Sequence, residues 1–154
     1  MTSDSDIGRH PSLPTSEISK GKIVVVDDFP GVAESLAFRL RIQGYEVYNI
    51  VSSTEAIAFI GKEVPDLALI DVCMPIIDGY EVARRLRQIG SCSDVMLVAI
   101  SGWLDTATVA SAISSGFDLQ VTKPIDGKCM DGILQELAIR MQRRGDNCTQ
   151  ASNS

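Results

Sequence analysis

The sequence predicts an α/β protein: a parallel sheet with helices on both faces. Short apolar runs of strand length alternate with longer segments of helical period, five times over. The runs end in polar residues followed at once by turn or helix-start signals, as at Asp27-Asp28, Asp71, Ser101-Gly102 and Lys123-Pro124. The run Leu67-Ala68-Leu69-Ile70, between Pro65 and Pro75, is continuously apolar, as a strand buried on both faces must be. Strands that alternate with helices imply parallel pairing through right-handed crossovers.

Each element has a local reason. Ile23 to Val26 is a β-branched run and reads as the first strand, ending in Asp27-Asp28. Pro30-Gly31 opens a helix, because proline is tolerated in a first turn. Val32, Ala33, Leu36, Ala37 and Leu40 make its apolar face, and Gly44 ends it. Tyr45 to Val51 is the second strand. Ser52-Ser53-Thr54 offers N-caps for a helix with Ala56, Ile57, Phe59 and Ile60, closed by Gly61. The third strand runs into Asp71, and a helix follows from Gly79 to Ile89, with Val82, Ala83 and Leu86 inward and Arg84, Arg85 and Arg87 outward. Val95 to Ile100 is the fourth strand, Thr106 to Ser115 a helix with a weak apolar face ended by Gly116, and Leu119 to Thr122 the fifth strand. A last amphipathic helix spans about Asp126 to Arg143, with Met130, Ile133, Leu134, Leu137 and Met141 on one side. Polar segments 1–20 and 145–154 read as disordered tails around a single domain at 21–144.

Composition narrows the function classes. A net charge of −6 argues against nucleic-acid backbone binding as the main task. No apolar run approaches a membrane span, and no apolar stretch near the N-terminus reads as a secretory signal, so a cytoplasmic location without membrane contact is expected. Cys73, Cys92, Cys129 and Cys148 are widely spaced and form no CxxC pair, and His10 is the only histidine, so a zinc signature is absent and reduced thiols are expected.

Parallel strands point their carboxyl ends the same way, and ligands bind outside those ends. Asp27, Asp28, Asp71, Ser101 and Lys123 therefore converge on one sheet edge. Taken singly, each has a plain alternative: a helix cap for the aspartates, a turn for Ser101-Gly102, a solvated lysine for Lys123. Together they bring three carboxylates, a hydroxyl and an ammonium to one place. Crowded carboxylates must take a proton or a cation, and acidic oxygen donors suit Mg²⁺, which commonly shares a phosphate with one or two carboxylates. Lys123 and Ser101 suit the phosphate oxygens. The pattern reads as phosphoryl transfer onto a carboxylate.

These motifs resemble the receiver domains of two-component response regulators. The resemblance covers roughly Gly21 to Arg144 and rests on Val24-Val25-Val26-Asp27-Asp28, Leu69-Ile70-Asp71 with Met74-Pro75 and Asp78-Gly79, Ala99-Ile100-Ser101-Gly102, and Gly116-Phe117-Asp118 leading to Thr122-Lys123-Pro124. It implies a flavodoxin-like (βα)5 fold with strand order 2-1-3-4-5. It implies Asp71 as phosphoacceptor, Mg²⁺ on Asp28, Asp71 and the Cys73 backbone carbonyl with Asp27 acting through water, and Ser101 and Lys123 on the phosphoryl group. The implied phosphodonor is a histidine kinase or histidine phosphotransfer protein, since the chain has no Gly-rich ATP loop of its own. The implied output is a downstream protein bound at the face of the fourth helix, fifth strand and fifth helix, without a DNA-binding domain. One position departs from the pattern: Gln120 stands where an aromatic switch residue is common, and in lacking the aromatic the chain resembles receivers associated with hybrid sensor kinases.

The chain is thus expected to be a signalling module that catalyses only its own phosphorylation and dephosphorylation. A haloacid-dehalogenase-like phosphatase is the enzyme alternative. That family wants a second aspartate two residues after its nucleophile, where this chain has Cys73, and no cap domain is visible. A pseudo-receiver that only binds partners is the third alternative, and the intact Asp28, Asp71, Ser101 and Lys123 argue against it.

Overall fold

The computed structural model describes residues 19–103 and 105–153, with side chains through Asp146. The segment 1–18, with His10 and most of the expected N-terminal tail, lies outside the described residues. The elements, in chain order, are β1 (Lys22–Val26), α1 (Pro30–Ile42), β2 (Glu46–Ile50), α2 (Ser53–Glu63), β3 (Leu67–Asp71), α3 (Gly79–Arg87), a 3₁₀ turn at Gly90–Cys92, β4 (Met96–Ser101), α4 (Thr106–Ser115), β5 (Leu119–Thr122) and α5 (Gly127–Asn153). The chain forms two compact units, the first ending at Lys123 and the second beginning at Pro124.

In the first unit the strands form one parallel sheet of order β2-β1-β3-β4-β5, the flavodoxin-like arrangement expected. Register explains its two faces. Val24 lies beside Tyr48 and Ala68, and Ala68 beside Leu97; two residues on, Val26 lies beside Ile50 and Ile70, and Ile70 beside Ala99. Side chains alternate across a strand, so these residues share a face. They form one buried cluster with Ala56 and Ile60 of α2, Val82, Ala83 and Leu86 of α3, and Ala112 of α4. α1 lies on the other face, packed on β1 and β2, with Ala33, Leu36, Ala37 and Leu40 buried. Each fully buried leucine or isoleucine here, such as Leu40 or Ile60, contributes about 1.5–3 kcal/mol of transfer free energy. Val32, predicted on the inward face of α1, is instead exposed, because it sits in the first turn, ahead of the stripe set by Ala33.

Helix ends differ from the sequence reading at three places, one of them α3, which stops at Arg87, two residues short of Ile89. Gly61 does not close α2. The helix runs on to Glu63, and Val64 takes the left-handed cap position at φ 47. Pro65 follows and cannot continue a helix, so the stop is set there. Gly61 serves packing instead: a Cβ at this position would lie 3.1 Å from the Ile89 side chain. In the second unit, α5 continues past Arg143, the end its sequence pattern suggests, through the segment expected to be a tail, to Asn153. Gly145 weakens a helix by only about 1 kcal/mol, and no proline follows to stop it. Asp126 caps this helix, accepting from the Cys129 N–H at 2.7 Å through its carboxylate. Met130, Ile133, Leu134 and Leu137 are its buried stripe.

Arg87 is the main polar fastener of the first unit. Its guanidinium donates to the carbonyls of Cys92 (3.0 Å), Val95 (2.9 Å) and Gly116 (2.9 Å) and pairs with Asp118 at 2.9 Å. The helical period alone puts it outward with Arg84 and Arg85. Instead it ties the end of α3 to the 3₁₀ turn and to the α4–β5 loop. Gly116, at φ +110, leaves room for it, since a Cβ there would lie 2.6 Å from the Arg87 Cγ.

Candidate functional site

Parallel register decides where the site lies. Asp71 is the last residue of β3 and lies beside Ile100; Ser101 ends β4 beside Thr122. Asp27 follows the last residue of β1, its N–H donating to the Ile50 carbonyl at 3.1 Å. The strand ends thus deliver Asp27, Asp28, Asp71, Ser101 and Lys123 to one edge of the sheet. Asp27 and Asp71 are each only 2 % exposed. Burial of that degree is costly for a carboxylate unless it is paired or hydrogen-bonded.

The local backbone supplies part of that compensation. Asp27 Oδ1 accepts from the Phe29 N–H at 2.9 Å, and Asp71 Oδ1 accepts from the Cys73 N–H at 3.1 Å. Asp27 therefore does serve the turn before α1, as its plain alternative holds, and is in the cluster as well. The chain after Asp71 is folded back by α3. Asp78 caps that helix through the Glu81 N–H, and the Gly79 N–H donates to the Val72 carbonyl at 3.0 Å. A Cβ on Gly79 would lie 2.6 Å from the Asp71 carbonyl oxygen and from the Val72 Cα. Glycine is needed there so that two backbones can approach. In the sequence the Asp78-Gly79 pair is legible as a turn signal, but its role in closing the backbone over Asp71 is not.

One carboxylate oxygen from each of Asp27, Asp28 and Asp71 lies within 4.8 Å of the other two. Lys123 Nζ bridges two of them, 3.2 Å from Asp71 Oδ2 and 3.4 Å from Asp27 Oδ2. The Lys123 backbone is pinned by its N–H to the Ser101 carbonyl at 2.8 Å. Burial lifts Asp71 above the ordinary carboxyl value, and the Asp27 charge adds to this; the Cys73 N–H and the Lys123 ammonium offset part of it. For Lys123, burial acts downward, but the Asp71 and Asp27 charges outweigh it and raise the ammonium above its ordinary value. Three carboxylates thus cluster beside one ammonium, which pairs with two of them. Asp28 Oδ1 is buried and has no hydrogen-bond partner among the described residues. An acidic trio with an unpartnered buried oxygen fits a hard divalent cation such as Mg²⁺.

Ser101 stands at the same edge, but its hydroxyl is engaged in its own loop. Oγ donates to the Trp103 carbonyl at 2.7 Å and accepts from the Trp103 N–H at 3.3 Å. Trp103 is largely exposed. Beyond it, Asp105 caps α4 in a reciprocal box with Thr108. Gln120 Nε2 donates to Thr108 Oγ1 at 3.2 Å. Sequence reasoning singles out Gln120 but not Thr108. The Asp-x-x-Thr spacing at Asp105–Thr108 is the available signal, weakened by threonine standing where glutamate or glutamine is usual.

The family model described as the response regulator receiver domain matches residues 23–135. The chain belongs to the response regulator receiver family. As a receiver it is similar over 90 % of its length to the probable transcriptional regulator ycf27 of Cyanophora paradoxa, at 35 % identity. The match to the Porphyra purpurea protein of the same name is also 35 % identical, over 86 % of this chain. The chain spans about half the length of these relatives, 55 % and 52 % respectively. Among solved structures, it resembles a response regulator from Chloroflexus aurantiacus with a TM-score of 0.72 and 28 % identity, over 77 % of this chain and 98 % of that one. It also resembles the receiver domain of a signal transduction histidine kinase from Syntrophus aciditrophicus, with a TM-score of 0.69 and 29 % identity, over 77 % of this chain and 89 % of that one. The receiver is thus a part of two-component signalling. Among its described residues, no helix is long and apolar enough to cross a membrane.

Proposed function

We propose that this receiver takes a phosphoryl group onto Asp71 from a phosphohistidine on a histidine kinase or phosphotransfer protein, in the presence of Mg²⁺, and changes its affinity for a partner protein as a result. The observation that carries this reading is the Lys123 ammonium bridging two buried carboxylates, beside a third whose oxygen is unpartnered. Such a site is short of positive charge and places one nucleophilic carboxylate at a strand end.

In the transfer, an Asp71 carboxylate oxygen forms the new P–O bond while the P–N bond of the donor breaks. The electron pair goes to the imidazole nitrogen. Asp28, Asp71 and the Cys73 carbonyl would hold Mg²⁺, with Asp27 reaching it through water. Bound there, the ion would neutralise charge on the phosphoryl oxygens and on the carboxylates. Lys123, which must balance Asp27 and Asp71 at rest, gains a phosphoryl oxygen as partner once Asp71 carries the acyl phosphate. The Ser101 hydroxyl, by leaving the Trp103 carbonyl, can donate to another of those oxygens. No separate substrate is turned over. The exposed free thiol of Cys73 supports a reducing compartment, the cytoplasm.

The test is incubation with acetyl phosphate and Mg²⁺ followed by intact mass. One added phosphate, labile in base and absent in Asp71→Asn, is the expected result. An Asn variant that still gains an acyl phosphate would refute Asp71 as the acceptor.

A further inference from the structure

We infer that Ser53, at the start of α2, is a positioning residue that holds the β3–α3 loop in a strained turn and thereby sets the Cys73 carbonyl. The inference rests on the reading that this carbonyl helps to hold Mg²⁺. Ser52 caps α2, its hydroxyl accepting from the Glu55 N–H at 3.4 Å. Ser53 is therefore not needed as a cap. It is buried, and its hydroxyl donates to the Ile77 carbonyl at 2.5 Å. The Met74 sulfur, 3.9 Å away, is a weak acceptor, so the single hydroxyl proton goes to the carbonyl. The start of one helix is thus tied to a loop 24 positions further along the chain.

The loop needs holding. The Ile77 N–H donates to the Pro75 carbonyl at 2.7 Å, and Ile76 between them has φ 71. A hydrogen bond that closes around one residue of positive φ makes a γ-turn of the strained kind. A β-branched residue is strongly disfavoured in that backbone region. Ile76 is also 98 % exposed. It borders a cleft of about 180 Å³ that Val51, Met74 and Pro75 also line. An apolar cavity of about 150 Å³ can hold a benzene, so the cleft has room for the Ile76 side chain. Relaxing the turn would relieve the backbone and bury an apolar side chain in one movement. Both gains oppose the observed position, and the Ser53–Ile77 bond resists them.

The base of the loop is fixed by other bonds. The Gly79 N–H donates to the Val72 carbonyl at 3.0 Å, and the Cys73 N–H donates to Asp71 Oδ1 at 3.1 Å. These bonds hold Asp71 whichever way the tip lies. Cys73 stands between that fixed base and the turn at Pro75, so the direction of its carbonyl follows the tip. Ser53 thus acts on a metal ligand through the backbone and touches neither the ligand nor the phosphoacceptor.

Methyl NMR on the metal-free protein, with a Mg²⁺ titration followed by amide shifts, tests this. In the parent the Ile76 methyl groups should show no NOE to the Val51 or Met74 methyl groups. In Ser53→Ala such NOEs should appear, and the Mg²⁺ dissociation constant should rise about three- to tenfold, the worth of one ordinary hydrogen bond. Ser53→Thr, which keeps the hydroxyl, should behave as the parent. Glycine takes a positive φ without strain and has no side chain to bury, so adding Ile76→Gly to Ser53→Ala should restore most of the Mg²⁺ affinity. A serine that only supported folding would not be rescued by glycine at an exposed position. Ile76→Gly alone should raise the melting temperature, which keeps the proposal testable if Ser53→Ala fails to fold. An unchanged or lower value would overturn the strained turn. Unchanged NOEs in Ser53→Ala, or a loss of Mg²⁺ affinity that Ile76→Gly leaves in place, would overturn the tether. A parent that binds no Mg²⁺ would sink the metal reading instead, while the metal-free NOEs still decide the tether.

Discussion

Replacing Lys123 by methionine nearly keeps the length of the side chain and removes its charge. Two buried carboxylates, Asp71 at 3.2 Å and Asp27 at 3.4 Å, then lose the ammonium that pairs with both. Breaking one side of a buried ion pair typically costs about 3–5 kcal/mol. The lysine side chain is 32 % exposed, so solvent screens part of the interaction, and about 1–3 kcal/mol is the expected loss. For a chain of this size that lowers Tm by roughly 3–10 °C in metal-free buffer at neutral pH. The sign of the pH dependence follows from Asp71, whose pKa is raised in the fold by burial and by Asp27. A raised carboxyl contributes stability that is present below its unfolded value, 3.8, and lost as pH rises through the folded value. Removing the ammonium lifts Asp71 further, so the gap between parent and variant should narrow as the pH falls toward 3.8. Mg²⁺ should narrow it too, because a divalent cation supplies the missing charge, and the variant's Mg²⁺-induced shift should exceed the parent's. Thermal melts by circular dichroism, with and without Mg²⁺ at two pH values, measure all of this. A variant that melts with the parent in metal-free buffer, and gains no more from Mg²⁺, would refute the claim that Lys123 balances the acidic cluster.

Asp28→Ala should weaken Mg²⁺ binding and slow phosphorylation while leaving the metal-free fold as stable as the parent or slightly more so, since it removes one of three crowded carboxylates; a Mg²⁺-induced Tm shift as large as the parent's would count against Asp28 as a ligand. Arg87→Ala should cost about 2–4 kcal/mol in urea unfolding, because it strips donors from three carbonyls and leaves Asp118 without this guanidinium; a loss below about 0.5 kcal/mol would mean the network is dispensable. Gly79→Ala should cost about 1–3 kcal/mol and slow phosphorylation, since its Cβ would press on the backbone of Asp71 and Val72; wild-type unfolding and phosphorylation rates would show that the approach relaxes freely. Trp103 emission should change with beryllofluoride in the parent and lose most of that change in Ser101→Ala, because the two residues are joined by hydrogen bonds; emission indifferent to the ligand in both proteins would argue against movement of the loop.

Short-range patterns in the sequence determined the alternation of strand and helix, the burial of β3 and the presence of Asp27, Asp28, Asp71, Ser101 and Lys123 at strand ends. Parallel strands share a direction, so knowing which residues end them was enough to know that these side chains share an edge. α4 and β5 took their predicted bounds because Gly116 and the residues around it carry strong local signals. What depends on pairs far apart in the chain was decided only by tertiary structure. Gly61 has the look of a helix stop until Ile89 is set against it, and Arg87 the look of a solvated residue until the carbonyls of Cys92, Val95 and Gly116 converge on it. The same holds for the partners of each site residue. Strand order places Lys123 near the carboxylates, but that its ammonium bridges Asp71 and Asp27 while Asp28 Oδ1 stays unpartnered follows from side-chain geometry. Nor could Gln120 be matched to Thr108 from twelve positions away, since periodicity records which way a residue faces and not which polar atom it meets there.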